Sequence, residues 1–444
     1  MKKIRKSREK KMRLGRFGLA VMLACAGIGV QAADDLDGLL DVAKPVAGDA
    51  SPIFGFAEFS AARAYDEPSH WSKLRARGYL GTTGRLGDQA KWKLSARLDA
   101  DLAPAVEHDI YPTDVERDLR DEFMIREAYV DVSAGDWDYR FGRQQVVWGE
   151  MVGLFFADVV SARDLREFLL PEFDQMRTPQ WAARAEYFAD DWHFEALWIP
   201  FPSYDDIGEP GGEFYPFQAP AGATIANEET PDDSLGNMNW GLRASTLVAG
   251  WDLSAFFYRS TDVSQTFYRT ANAPLEFTPR HDRIRQVGMT FSKDLGRFVL
   301  KGEAVHTDGR KFNTADPAAP YGLKASETMD YVVGVDVPLG DWRINAQYYG
   351  RTFFGHEDEM AWDRNEQGLT LLVNHEFSER LEAEVLVVSG LNRDDYMIRP
   401  KVVWQMTPVW RGTMGLDIFG GEQVGVFGRY DDKDRAYVEL RRDF

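Results

Sequence analysis

From about residue 53 almost to the C-terminus, apolar and polar positions alternate with a period of two rather than 3.6. Between Ala90 and Leu102, Trp92, Leu94, Ala96, Leu98, Ala100 and Leu102 fall on one face. Lys91, Lys93, Ser95, Arg97, Asp99 and Asp101 fall on the other. The half-buried strands of soluble proteins are usually shorter and rarely carry so many charges. The same alternation recurs at Glu127–Val132, Trp137–Gly142, Tyr331–Val337, Trp342–Tyr349 and Leu381–Val388.

The pattern predicts eighteen strands, with sixteen the alternative count. They lie near 54–65, 73–86, 90–102, 122–133, 137–147, 180–188, 192–199, 237–247, 251–260, 283–293, 297–307, 328–337, 342–353, 366–377, 380–389, 396–406, 410–420 and 433–444. Connection lengths alternate. Tight, mostly Gly-, Asp- or Pro-bearing turns are expected at 87–89, 134–136, 189–191, 248–250, 294–296, 338–341, 378–380 and 407–409. Longer connections lie between them, notably 103–121, 148–179, 200–236, 261–282 and 308–327. Short turns on one side and long loops on the other are the pattern of a transmembrane antiparallel up-and-down β-barrel. Strands cross hydrocarbon only as a closed barrel, so the apolar face must look outward and the charged face inward. Aromatic residues near strand ends, such as Trp137, Trp192, Trp240, Trp251, Trp342, Trp404 and Trp410, suit interfacial girdles. A final strand ending in Phe444 resembles the signal read by barrel-insertion machinery. Arg442 departs from that pattern, and it can snorkel to the interface.

The single long apolar stretch is N-terminal. Nine Lys and Arg residues between Lys2 and Arg16 precede the apolar run Phe17–Val30, and Val30-Gln31-Ala32 fits a small-x-small cleavage site. The expected division is a signal peptide at 1–32, a periplasmic lead at 33–52 and a barrel at 53–444. Met12 is an alternative start, and a retained anchor or a lipidated Cys25 are the competing readings of this stretch. Removing residues 1–32, which carry +8, takes the formal charge from -19 to -27. Such a chain is unsuited to nucleic acid or to peripheral attachment to anionic lipid. Its acidic loops suit divalent bridging to lipopolysaccharide.

The inward face is expected to carry Arg77, Lys91, Lys93, Arg97, Asp99, Glu127, Asp131, Arg140, Arg343, Arg351, Arg399 and Lys401 as pore-lining residues. Charges of both signs can pair and fix the wall, or form a basic ladder that orients a dipolar solute. The connection 148–179 is apolar where an external loop should be polar. Ser161 reads as the N-cap of a helix running to Leu169 or Leu170 and ending at Pro171. Folded inward, this loop would act as a constriction, with Phe155, Phe156, Asp158, Arg163 and Arg166 setting pore size and polarity. The alternative is a lid packed outside. Loop 200–236 holds eight carboxylates and no Lys or Arg, and reads either as a divalent-cation or lipopolysaccharide-facing loop or as a solvated acidic surface. The seven His residues form no H-E-x-x-H, and no nucleophile elbow or P-loop is present. No cofactor or metal is therefore expected.

At Arg126-Glu127-Ala128-Tyr129-Val130-Asp131 and Gly142-Arg143-Gln144-Gln145-Val146-Val147-Trp148-Gly149 the chain resembles a known group. This is the outer-membrane barrel family of unknown function often encoded beside RND-type exporters. Asn239–Arg243, Gly302–Ala304, and Phe419–Gly421 with Phe427–Tyr430 add to the likeness, and related phrases occur in porins and in alginate-export and phosphate-selective channels. The resemblance implies a channel or carrier in the outer membrane, with lipid, lipopolysaccharide and insertion machinery as surroundings. It also implies an RND-type or periplasmic partner for hydrophobic or amphipathic compounds. The residues themselves favour a channel for small polar or amphipathic solutes. An outer-membrane lipase- or protease-like enzyme is the rival class.

Overall fold

The computed structural model describes residues 53–149, 151 and 156–444. The expected signal peptide, the lead and Phe155 lie outside the described residues.

Eighteen strands close into one antiparallel barrel. They are β1 (Ile53–Ala64), β2 (His70–Leu86), β3 (Ala90–Asp101), β4 (Asp121–Ala134), β5 (Trp137–Gln144), β6 (Gln180–Ala189), β7 (Trp192–Phe201), β8 (Asn239–Val248), β9 (Trp251–Thr261), β10 (Arg283–Asp294), β11 (Val299–Asp308), β12 (Thr328–Leu339), β13 (Trp342–Phe353), β14 (Asn365–Ser378), β15 (Leu381–Gly390), β16 (Asp395–Thr407), β17 (Trp410–Gly421) and β18 (Arg435–Asp443). Each pairs with its sequence neighbours. The ring shuts where β1 meets β18, in register from Phe56 opposite Asp443 to Ala64 opposite Arg435. Gly55 and Phe444 exchange both backbone hydrogen bonds, at 2.9 and 3.0 Å. The terminal residue is thus part of the seam.

The count is the eighteen of the hydrophobic pattern. The pattern is legible because both faces of every strand are constrained, by lipid outside and polar groups inside. On β3, Ser95, Arg97, Asp99 and Asp101 are buried, while Leu94 on the opposite face is 48% exposed. This inverts the order of a soluble sheet. Leu80, Leu242, Met289, Val333, Leu369, Met414 and Val438 continue the exposed apolar band around the ring. A closed barrel wrapped in such a band is an outer-membrane protein.

The short turns gather at one end together with the first and last strand ends. Trp137, Trp192, Trp251, Trp342 and Trp410 each begin the strand that follows such a turn, and so ring the barrel at one level. At Ala249-Gly250 both residues take positive φ, 50° and 75°, the twist that lets a two-residue turn join twisted strands. At the other end the connections are long. Residues 103–106 and 113–120 form short helices, and Thr266–Asn272 pairs with Leu275–Arg280 as a hairpin.

The expected helix over 161–170 does not form. Ala162–Arg163 instead pairs antiparallel with Arg177–Thr178, a turn occupies 166–169, and the helix of this segment is Phe173–Met176. Ser161 caps nothing. Its hydroxyl donates to the Val146 carbonyl at 2.9 Å. The helical signal, a serine followed by charges and ended by proline, was overridden by partners on the barrel wall.

Candidate functional site

Between β5 and β6 the described residues of 145–179 lie inside the barrel. The evidence is the set of strands they touch. Gln175 takes hydrogen bonds from Arg77 of β2 and, on its carbonyl at 3.1 Å, from Arg97 of β3. Arg126 of β4 donates to the Arg177 carbonyl at 2.6 Å. Trp148 donates to Glu195 of β7 at 3.0 Å. The backbone amides of Ala157 and Met151 donate to Glu303 of β11 at 2.8 and 3.2 Å. Phe156 lies against Tyr349 of β13, ring centroids 6.0 Å apart. Arg399 of β16 donates to the Leu170 carbonyl at 2.7 Å, and Lys401 reaches Glu172 at 3.3 Å. Arg435 of β18 meets Glu167 at 3.2 Å. One segment reaches strands all round a closed barrel only by passing through its lumen. The inward placement follows from this contact set, and a lid outside the mouth does not account for it.

Two apolar clusters wedge the segment in place. Val146, Trp148, Ala157 and Val160 pack on Ala182, Leu197, Ile199, Phe256, Tyr258 and Val305. On the far side Leu170 joins Phe214, Val388, Met397, Phe419, Phe427 and Tyr430, with Phe168 against them. The wall is therefore not uniformly polar. At these two clusters apolar inward positions add burial and dispersion to the polar contacts that hold the segment.

The inward charges are paired, including several that also touch the segment. Arg77 grips Asp99 through two bonds, 2.6 and 3.0 Å, and Arg97 sits on the same carboxylate at 2.9 Å. Lys93 pairs with Glu127 at 2.7 Å, Arg140 with Asp131 at 2.6 Å, and Arg351 with Asp330 at 2.5 Å. Arg399 pairs with Asp417 at 2.8 Å and Lys401 with Glu384 at 3.0 Å. Arg343 lies 3.2 Å from Glu376 and is 42% exposed. Lys91 is exposed near the short-turn end, in register with Arg85 and Asp131.

The segment's own charges turn inward on the structure. Asp158 is 2% exposed and bound to Arg177 at 2.7 Å. Arg163 donates its backbone amide to Asp205 at 2.8 Å and its guanidinium to the Asp158 carbonyl at 2.7 Å. Arg166 holds Asp164 at 2.6 Å and also Glu122. Burial alone would raise the Asp164 carboxyl, but Arg166 and Arg97 outweigh it and hold it well below the usual range. Burial pushes Asp205 the other way, upward.

The acidic loop before β8 is largely committed to protein partners. Asp205 also accepts from Ser264 at 2.9 Å, Glu213 lies 3.4 Å from His70, Glu228 bonds His281 at 2.9 Å and Glu229 meets Arg280 at 2.9 Å. Phe214 is buried in the second apolar cluster. Among the described residues no group of three or more His, Cys, Asp or Glu is brought together as a metal site.

Sequence reasoning singled out Arg77, Arg97, Arg399 and Lys401, which all contact the crossing segment. It missed Glu167, Glu195 and Trp148 as its anchors, and assigned no such role to Glu303. The trace of the partners is visible in hindsight: Lys73, Arg75 and Arg77 stand at alternate positions, on one face of one strand.

The family model described as a protein of unknown function (DUF1302) matches residues 81–368. No curated protein matches the chain. Three solved structures share its fold at very low identity. OccK8 (OprE) of Pseudomonas aeruginosa is 9% identical, with a TM-score of 0.53, and the match covers 88% of this chain and 98% of that one. OccAB3 of Acinetobacter baumannii is 8% identical over 88% and 98%, also at 0.53. OpdK of Pseudomonas aeruginosa, solved with vanillate, is 9% identical over 88% and 97%, at 0.51.

Proposed function

The chain belongs to the DUF1302 family, and we propose that it is a passive outer-membrane channel for small polar or amphipathic solutes, with residues 145–179 setting the passage. The observation that carries this reading is the segment that crosses the lumen from β5 to touch β2, β11, β16 and β18. An enzyme needs a nucleophile or an acid–base pair facing a cleft. A constriction needs an inward fold with charged walls on either side, and the contacts of residues 145–179 with Arg77, Glu303 and Arg399 support that reading. The fold shared with OccK8, OccAB3 and OpdK supports the same reading. The vanillate of OpdK makes a small carboxylate the first solute to try.

The test is a planar-bilayer recording of the purified protein. Discrete conductance steps are expected, and deletion of residues 150–170 is expected to raise the step size severalfold. A barrel that never conducts would overturn the channel reading. Unchanged steps after the deletion would remove the segment from the passage.

A further inference from the structure

The tip of the crossing segment presents one side chain to a socket of three cations on the wall. The Glu167 carboxylate meets Arg75 through one oxygen at 2.5 Å. Its other oxygen meets Lys73 at 2.5 Å and Arg435 at 3.2 Å. Lys73 and Arg75 are neighbours on the inward face of β2, and Arg435 stands on β18, so the socket straddles the barrel's closing seam. The socket itself is buried, with Arg435 2% exposed. Glu58 and Glu439 stand near Arg75 and Lys73 and temper the socket's positive charge, while two further wall carboxylates have other work. Asp417 is shared between Arg399 and Arg435 at 2.8 Å each, and Asp101 accepts the backbone amides of Leu74 and Ala103.

The next residue fills a second compartment. The Phe168 ring sits 4.9 Å from Tyr430, 5.8 Å from Phe427 and 6.3 Å from Phe419. Phe214 closes the group, and the Arg435 guanidinium lies 5.3 Å over the Phe214 ring, which joins the basic and aromatic compartments. Phe168 has φ 54°, a left-handed conformation that is strained for a bulky residue. The turn is held in that shape by what Glu167 and Phe168 touch. The adjoining cavity, lined by Arg75, Arg77, Arg97, Phe214 and Arg435, has only about 60 Å³ free, room for a few waters. A solute enters this site by replacing Glu167 and Phe168, not by joining them.

We propose that Lys73, Arg75 and Arg435, with the Phe214–Phe419–Tyr430 cleft, form a binding site for a carboxylate that bears an apolar ring, and that Glu167 and Phe168 are its built-in occupant. A carboxylate offers two oxygens in one plane, as Glu167 does here, and guanidinium and ammonium groups bind each of them. The ring beside it gains apolar burial that a bare anion cannot. Displacement would free the tip of the crossing segment, so the solute itself would open its passage. This deepens the channel reading by naming a class of solute. The site is tested by binding in detergent, which needs no conduction. Intact binding without conductance would thus fault the channel and leave the site standing.

The experiment is calorimetric titration of the purified barrel with benzoate, with acetate and inorganic phosphate as comparison anions. Glu167→Gln, which keeps size and removes charge, is expected to bind benzoate at least tenfold more tightly than the native chain. Acetate and phosphate are expected to bind the same variant at least tenfold more weakly than benzoate. Adding Arg75→Gln to Glu167→Gln should abolish the gain. Equal benzoate affinity with and without Glu167, or phosphate binding as tight as benzoate, would overturn the proposal. Should Glu167→Gln not fold, Arg75→Gln alone against the native chain decides it: benzoate binding lost supports the site, and binding unchanged overturns it.

Discussion

The indole of Trp148 donates to the Glu195 carboxylate at 3.0 Å, with both side chains buried. This bond fixes the root of the crossing segment to β7, four residues after β5 ends. Glu195 has one further cation, Arg184, at 3.2 Å. Trp148→Phe keeps the ring among Phe256 and Tyr258 but removes the donor. A hydrogen bond to a buried charged group contributes roughly 1.5–3 kcal/mol. The expected outcome is a destabilisation of about that size in denaturant unfolding from lipid vesicles, with more frequent current flicker in bilayers. Flicker identical to that of the native protein would show that the root does not control the tip.

The orientation of the faces gives a sharper contrast. Leu94 points to lipid and Lys93, its neighbour, to the lumen. Leu94→Arg places a charge in hydrocarbon and is expected to cost about 2–4 kcal/mol near the midplane, less toward the interface. Lys93→Gln loses one ion pair with Glu127, whose side chains are 20% and 15% exposed on the lumen side, and is expected to cost about 1 kcal/mol. Folding yields into vesicles would rank the two, and the reverse order would contradict the inside-out assignment.

Acid should loosen the crossing segment. Burial works to raise Glu167, but Arg75, Lys73 and Arg435 outweigh it and hold the carboxyl well below its ordinary value. Asp164 is held down by Arg166 and Arg97 in the same way, and Glu172 is lowered chiefly by Lys401. A depressed folded value means stabilisation that is complete above the unfolded value of roughly 4 and is lost as pH falls through the folded one. Asp174 and Asp205, raised by burial, act oppositely, and their contribution is lost as pH rises. The three depressed groups hold the tip, so larger or noisier currents are expected below about pH 4, with the neutral-pH trace restored on return. Traces that stay the same down to about pH 2 would show that these carboxylates do not control the tip.

Gly142 lies near the end of β5, before the segment departs. Its φ is 127°, and a Cβ there would meet the Ala128 carbonyl oxygen at 2.1 Å. Gly142→Ala must therefore move backbone in a paired strand. A loss of about 1–3 kcal/mol is expected in vesicle unfolding, whereas Gly135→Ala, in an open turn at φ 63°, meets no neighbouring atom and should cost less. Equal losses would mean that crowding at β5 is relieved without strain.

The barrel was legible residue by residue because every strand reports on both of its surroundings. Trp92 through Leu102 and Lys91 through Asp101 are two complete faces, and no fold but a closed sheet in lipid satisfies both. The crossing segment was legible only in part. Its apolar run announced that it is not an exposed loop, but Ser161 and Pro171 suggested a helix where the chain makes a two-residue strand and a turn. The helix Thr113–Arg120 went unread although Asp114 and Glu116 open it and Arg117 and Arg120 close it, the charge order a helix dipole favours.

The sequence by itself determined the number of strands, their facing and the end at which the short turns lie, because alternation between lipid and polar interior is a local property repeated eighteen times. Only the tertiary structure decided which inward charges meet, that Glu167 comes to rest between Lys73, Arg75 and Arg435, and that residues 145–179 cross the lumen. Those contacts join residues up to 268 positions apart, and nothing local encodes them. They exist because closing the ring brings β18 beside β1 and β2 and leaves a confined space whose buried charges must find partners.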